Sequence, residues 1–333
     1  MRFPVELTRR FVENFRDKKL DHADGAMTEP ASVFTDRARF DKEVDVLFRR
    51  GSHIVGWTGE LPRPGTFVTK NVAGYPVLVT RAEDGVLRAF KNACTHRGAA
   101  VADVAGLIAV GLHEDADPAA AFADIEPHVR WCSYDTHEPV CHHSWTLKTN
   151  WKIAFDVNLE SYHVNYLHRE TLYGLVLHHS IFDAFGRHGR WGFPTRGIES
   201  LVDAPEDAWP DPAPISVIHT YFPSTVILET PVSSQMFRIY PGSHPGECTV
   251  DLTEASIRPT QTDEERAARK AGADFAETQP VHSKEAFDRC VEALDRYNIP
   301  QARFPVIFGL MPVMSRKNGE FLNAHFSGIH VPE

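Results

Sequence analysis

Between residues 65 and 94 the chain reads GTFVTKNVAGYPVLVTRAEDGVLRAFKNAC, and no other stretch narrows its fold as much. β-Branched and aromatic residues alternate with polar ones in short runs, and turn pairs such as Asp84-Gly85 separate the runs. Side chains of a strand point to opposite faces in turn, so this pattern predicts consecutive antiparallel strands joined by hairpins. A short, wholly apolar strand, GLIAVGL (106–112), follows. A second strand-rich stretch starts at PISVIHTYFPSTVILETPVSSQMFRIYPGSHPGECTVDL, again cut by Pro-Gly turns. Helical spacing of apolar residues marks 5–20, 40–50 (Val44, Leu47 and Phe48 on one face), 118–130, 150–170 and 283–297 (Phe287, Val291 and Leu294). Residues 260–270, TQTDEERAARK, read as a polar, exposed helix or loop. Strand runs with segregated helices predict an α+β fold with a small all-β module near the front.

The chain's 333 residues are ample for a buried core. A net charge of −10 argues against a nucleic-acid or anionic-membrane surface, either of which favours a basic patch. No apolar run approaches the ~20 residues that span a bilayer. The opening MRFPVELTRRFVENFRDKK is charged throughout and has no apolar signal core, so a cytoplasmic location is expected. Five cysteines in a chain of this kind argue against a disulfide framework and leave metal binding or plain burial.

NLESYHVNYLH (158–168) carries an acid three positions before one histidine and a second histidine five positions after the first. Oxygen-activating iron(II) is commonly held by two histidines and a carboxylate, which makes His163 and His168 candidate ligands. On a regular helix, residues five apart point about 140° apart, so the pair converges only where the helix breaks, for instance near Asn165. Glu160, one helical turn before His163, would share its face and orient that ligand. The competing reading is a helix packed through Tyr162, Tyr166 and Leu167, with its histidines meeting solvent or backbone.

NWKIAFDVNLESYHVNYLH (150–168) resembles the catalytic-domain signature of Rieske-type ring-hydroxylating oxygenase α subunits: Asn-Trp-Lys, an acid and Asn, then acid-x-x-His-x4-His. Asn150, Trp151, Lys152, Asp156, Asn158, Glu160, His163 and His168 occupy those positions. Residues 40–99, ending in the Cys-x-His-Arg-Gly of Cys94 and His96, look like the front of the family's Rieske domain. YFPSTVILETPVSSQMFRIYPGS is similar to strands of its helix-grip catalytic domain. The resemblance implies an N-terminal helical segment (1–40), a Rieske-like β domain (41–113) and a helix-grip domain with a long antiparallel sheet (114–333). It implies a mononuclear Fe(II) on His163, His168 and a late carboxylate, with Glu160 and Asn158 as catalytic residues and Glu160 relaying between one subunit's cluster and the neighbour's iron. It further implies oxygenation of a small apolar or aromatic substrate, as in aromatic compound degradation. Electrons would come from NAD(P)H through a separate reductase and often a ferredoxin, and the assembly would be a trimer. Phe222, Leu228, Met236 and Phe308, with Val226, are candidate pocket residues and equally good core residues.

The chain departs from the family pattern in two places. A Rieske [2Fe–2S] cluster needs two Cys and two His, and the second Cys-x-x-His loop is expected after a spacer of about fifteen to twenty residues. Here CTHRGAAVADVAG runs straight into GLIAVGL, as though that loop were deleted and the module incomplete. Two later stretches offer partial substitutes: CSYD (132–135), with His137 beyond it, and CHHSW (141–145), with Ser144 where the spacing wants histidine. The third iron ligand falls on Glu285, Ala286 or Asp288 according to register, and Glu285 and Asp288 are equally at home as a solvated first helical turn. Two functions are therefore expected. One is an oxygenase that borrows electrons from a partner subunit's cluster or runs chemistry in which the substrate supplies them. The other is a non-catalytic homologue that joins a complete α subunit, in a homo- or hetero-trimer, or binds an apolar ligand. A zinc hydrolase on the same histidines is a third option that nothing in the sequence prefers.

Overall fold

The computed structural model describes residues 3–21, 25, 28–91, 98–160, 163, 176–230 and 233–256, with the backbone of 276–277 and 306–307. The chain divides into two compact units, residues 1–160 with 178–259, and residues 161–177 with 260–333. In the second unit, Ala276–Glu277 pairs in parallel with Val306–Ile307. The stretches 260–270 and 283–297 lie outside the described residues.

The first unit holds two antiparallel sheets. β1 (Ser52–Trp57), β2 (Phe67–Val72), β3 (Tyr75–Arg81), β4 (Leu87–Lys91), β5 (Gly98–Val104) and β6 (Leu107–Gly111) form a six-stranded sheet in the order β1-β6-β5-β4-β3-β2. The hairpin predicted at Asp84-Gly85 joins β3 to β4, and two tighter ones are found beside it: Ala73-Gly74 turns β2 into β3 and Ala105-Gly106 turns β5 into β6. All four residues of these two tighter turns have positive φ, the conformation whose twist matches that of the flanking strands. β6 is apolar throughout because both of its faces are covered. Ile108 and Val110 enter one cluster with Phe48, Val77 and Trp151, while Leu107 and Ala109 enter another with Trp57, Phe122 and Tyr134.

β7 (Glu138–Leu147), β8 (Ile181–Phe185), β9 (His188–Pro194), β10 (Ile215–Tyr221), β11 (Thr225–Glu229), β12 (Ser233–Pro241) and β13 (Cys248–Ser256) form the second sheet, in the order β7-β13-β12-β11-β10-β9-β8. A bulge in β1 between Ile54 and Gly56 interrupts its pairing with β6. The Val55 carbonyl there accepts a hydrogen bond from Arg238 Nη1 at 2.5 Å, and Arg238 Nη2 donates to Thr253 Oγ1 at 2.8 Å. Arg238 is only 3% exposed, so a buried guanidinium ties one sheet to the other.

α1 (Val5–Asp17) buries Leu7, Phe11 and Val12 and crosses β9 at Gly192, where an added Cβ would meet the Phe11 ring at 3.0 Å. α2 (Arg37–Glu43) is capped by Asp36 and runs into a π-helical turn, Val44–Arg49, which accounts for the helical signal over 40–50. The helix expected over 118–130 is instead two short pieces, Pro118–Ala121 and Glu126–Val129, with buried Phe122 and Ile125 in the turn between them. α3 (Trp151–Asp156) continues through a 3-10 turn, Val157–Leu159, and most of the remainder of the predicted 150–170 lies outside the described residues.

Candidate iron site

The Asn-Trp-Lys motif is an anchor. Asn150 caps α3, its side-chain oxygen accepting from the Lys152 backbone N–H at 3.0 Å. Its amide nitrogen donates to the carbonyls of Phe34 at 2.8 Å and Pro245 at 2.9 Å, so one side chain joins three segments. Trp151 is buried edge-on to Phe48. Glu43 Oε2 accepts from Trp151 Nε1 at 3.1 Å and from Lys152 Nζ at 2.5 Å. Sequence reading did not single out Glu43, because its partners lie more than a hundred residues away. The three motif residues thus fix the position and direction of the helix that leads into the acid-x-x-His segment.

Asn158 sits half-buried in the turn after α3. Its Nδ2 donates back to the Ala154 carbonyl at 3.0 Å, and its own carbonyl accepts from Trp191 Nε1 of β9 at 2.7 Å. Glu160 then leaves the helical conformation, with φ −139° and ψ 156°. The helical run that starts at Trp151 therefore ends at Glu160, while Asn165, where a break was expected, lies outside the described residues. The side-chain bond of Asn158 to the last α3 turn competes with helix propagation. His163 is half-buried. His168, Glu285, Asp288 and Ala286 lie outside the described residues, as do Cys94, His96 and Phe308.

Against α3 the second sheet turns an apolar face. Trp191, Ile218 and Val226 pack there with Phe193, Leu228 and Phe237, and Phe155 and Leu159 of the α3 region close over them. The proposed pocket residues divide. Leu228 is on this face, while Met236, whose partner in the ladder is Ile227, is buried on the opposite one. Strand alternation separates them, since Leu228 pairs with Gln235 one position further along. Phe222 stands at the β10–β11 turn with the Arg187 guanidinium 5.1 Å above its ring.

The partial substitutes for a second cluster loop are committed to other structure. Cys141, His142, His143 and Ser144 all lie in β7, paired in register with Glu254, Thr253, Leu252 and Asp251 of β13. Cys132 and His137 are buried against the second sheet. Between β5 and β6, where the family loop is expected, the two-residue turn has no place for a four-residue Cys-x-x-His loop. Gly106 itself abuts the 134–135 backbone, where an added Cβ would lie 2.3 Å from the Asp135 nitrogen.

A sequence profile described as "Ring hydroxylating alpha subunit (catalytic domain)" matches residues 127–292, and one described as "Rieske [2Fe-2S] domain" matches residues 52–113. The anthranilate 1,2-dioxygenase large subunit of Burkholderia cepacia is 42% identical over 86 residues, which is 26% of this chain and 20% of that protein. The carnitine monooxygenase oxygenase subunit of Acinetobacter baumannii is 33% identical over 87 residues, 26% of this chain and 24% of that one. The matched stretches thus span about a quarter or less of these relatives' own length. A solved quaternary ammonium Rieske monooxygenase in complex with an inhibitor aligns with a TM-score of 0.60 at 14% identity, covering 91% of this chain and 88% of that chain. Naphthalene 1,2-dioxygenase from Rhodococcus sp., bound to indole, gives 0.59 at 15% identity, covering 90% and 87%. These two likenesses establish the fold, a small β module followed by a sheet-rich catalytic domain, as the sequence led one to expect. With both profiles matched in that order along it, the chain belongs to the Rieske-type ring-hydroxylating non-haem iron oxygenase α subunits.

Proposed function

We propose that this chain is an oxygenase subunit that activates O2 at one mononuclear iron and carries no [2Fe–2S] cluster of its own. It would hydroxylate, dioxygenate or demethylate a small apolar or aromatic substrate. The observation that carries the oxygenase reading is the anchoring of α3: Asn150, Trp151 and Lys152 hold it, with Glu43, over an aromatic face of the sheet. Those polar contacts hold the helix that precedes the acid-x-x-His segment, which supports the oxygenase reading. Iron on His163, His168 and one of Glu285 or Asp288 would supply the oxygen chemistry. Of the chain's own residues, Asn158 fixes the turn before the ligand segment and Glu160 takes the place of the relaying acid. Trp191, Phe193, Leu228 and Phe237 offer an apolar wall that excludes water and favours a ring or a methylated cation. Relatives named for anthranilate and for carnitine bracket that choice.

The cluster-free part is supported by the two-residue β5–β6 turn and by the pairing of residues 141–144 within β7. Electrons would then come from a reductase or ferredoxin, or from a complete α subunit in a homo- or hetero-trimer, with NAD(P)H consumed only at the reductase. Among the described residues no helix is long and apolar enough to cross a membrane, and a cytoplasmic location fits this. The same two features support a second reading, a non-catalytic partner subunit. Iron and acid-labile sulfide per chain, on protein purified without oxygen, separate the possibilities. The expected result is about one iron and no sulfide, with the iron lost in His163→Ala. About three irons with two sulfides would sink the cluster-free reading. No iron even after supply would leave the partner-subunit reading.

A further inference from the structure

We propose that Cys132, His219 and Glu229 form a second, buried site for one thiophilic divalent transition ion, with zinc the fitting choice, between the second sheet and the segment 118–137. The proposal does not depend on the oxygenase reading. None of the three residues belongs to the acid-x-x-His-x4-His or Cys-x-His motifs, and the site lies on the face of the sheet away from Trp191 and Leu228.

The fold brings the three together from distant parts of the sequence. Cys132 ends the short helical turn Arg130–Cys132. His219 lies in β10 and Glu229 ends β11, where Val217 pairs with Glu229 and His219 with Ile227. Paired residues share a face, as do residues two apart on one strand, so His219 and Glu229 are diagonal neighbours on the side that Cys132 covers. One donor atom from each, the thiol sulfur, a ring nitrogen and a carboxylate oxygen, lie within 4.8 Å of one another, and all three residues are buried. Zinc bonds of about 2.0–2.3 Å place tetrahedral ligands roughly 3.3–3.6 Å apart, so side-chain movements of about an ångström close the site.

A second observation points to a ligand. His219 is 0% exposed, and neither ring nitrogen has a hydrogen-bond partner among the described residues. A neutral imidazole has one N–H and one lone pair, and leaving both empty in a protein interior is costly and rare. A metal bond to the bare nitrogen satisfies the acceptor. Cys132 is a free thiol. Glu229, in turn, is held as ligating carboxylates are held. Tyr134 Oη donates to its Oε1 at 2.6 Å, Ser234 Oγ donates to its Oε2, and His137 Nε2 lies 2.6 Å from Ser234 Oγ. The Tyr134 and Tyr221 hydroxyls, 3.2 Å apart, complete the polar lining. A dication beside a thiolate and a carboxylate makes a neutral core site. The mixed sulfur, nitrogen and oxygen set selects zinc over magnesium or calcium. Such an ion would staple the 118–137 segment to the strands.

The test uses the full chain, stripped of metal under reducing conditions and given Co2+ alone, both when folded and during refolding because the site is closed. The expected result is a thiolate-to-cobalt charge-transfer band that saturates near about one equivalent and is displaced by Zn2+. Cys132→Ser should abolish the band and Cys94→Ser should leave it. His219→Gln, which keeps the thiol, should weaken cobalt binding at least about tenfold. Zn2+ should also raise the unfolding midpoint of the wild type and not that of Cys132→Ser. Cobalt on His163 and His168 has no sulfur ligand and gives no such band. No band in the wild type under either condition, or one that survives Cys132→Ser, overturns the proposal. If Cys132→Ser does not fold, unchanged cobalt affinity in His219→Gln overturns it.

Discussion

Nε2 of His53 lies 2.9 Å from the Phe48 carbonyl, so that nitrogen carries the proton, and Nδ1 has no hydrogen-bond partner among the described residues. The ring stacks on Phe48 and meets Tyr240 at an angle. Burial pushes its pKa down to about 4 from the ordinary 6.5. As pH falls through 6.5 the unfolded chain takes up a proton that the folded chain refuses until about pH 4, so stability is lost across that window. Going from pH 7 to pH 5 should cost about 2 kcal/mol through this residue. His53→Gln keeps an N–H for Phe48 and should remove that share of the pH dependence; denaturant midpoints at the two pH values measure it, and an unaltered slope counts against the account. Asn150 makes a different residue-scale prediction. Asn150→Ala loses the cap and leaves two half-buried carbonyls without their donor, which should destabilise the chain by about 1–3 kcal/mol. Asn150→Asp keeps the cap acceptor and should cost less in the same denaturation assay.

The β5–β6 hairpin carries the element-scale prediction. Gly106 has φ +91°, its N–H donates to Asp103 Oδ1 at 2.7 Å, and its carbonyl accepts from Thr58 N at 2.7 Å. Gly106→Ala would add left-handed strain and drive a methyl into the 134–135 backbone, so a loss of more than about 2 kcal/mol is expected in thermal or denaturant unfolding. A wild-type midpoint would mean that this turn is free to move. Elements of this kind were legible in the sequence wherever local pattern decides them. The alternation over 65–94 gave β2 to β4, and the apolar run over 106–112 marked a strand covered on both faces. The end of α3 was not legible, because apolar spacing continues through Tyr162 and Tyr166. The helix stops where the Asn158 carbonyl meets Trp191, a partner 33 residues away. CHHSW resembled a loop for the same reason: its identity as strand comes from β13, more than a hundred residues downstream.

For the whole molecule, Arg238 is a joint between the two sheets, beside the Thr225 hydroxyl that donates to the Ile54 carbonyl. Arg238→Met keeps the aliphatic stem but strands the Val55 carbonyl, which should cost about 1–3 kcal/mol. Hydrogen exchange should then show β1 opening before β12 and β13, whereas uniform exchange in both sheets would deny Arg238 that role. At this scale the sequence announced the family and the order of its parts, through the Asn-Trp-Lys and acid-x-x-His-x4-His spacing. It did not announce the meeting of Cys132, His219 and Glu229, since three separated residues carry no spacing that a linear reading detects. The short β5–β6 turn also bears on how the front sheet assembles. Joining two strands through a connection ten times longer would add about 2 kcal/mol of loop-closure entropy, which a bound cofactor could repay. With Ala105 and Gly106 alone between them, β5 and β6 meet as sequence neighbours. On the cluster-free reading proposed above, assembly of this sheet would not wait for iron and sulfide, and cells starved of both should still accumulate the folded chain.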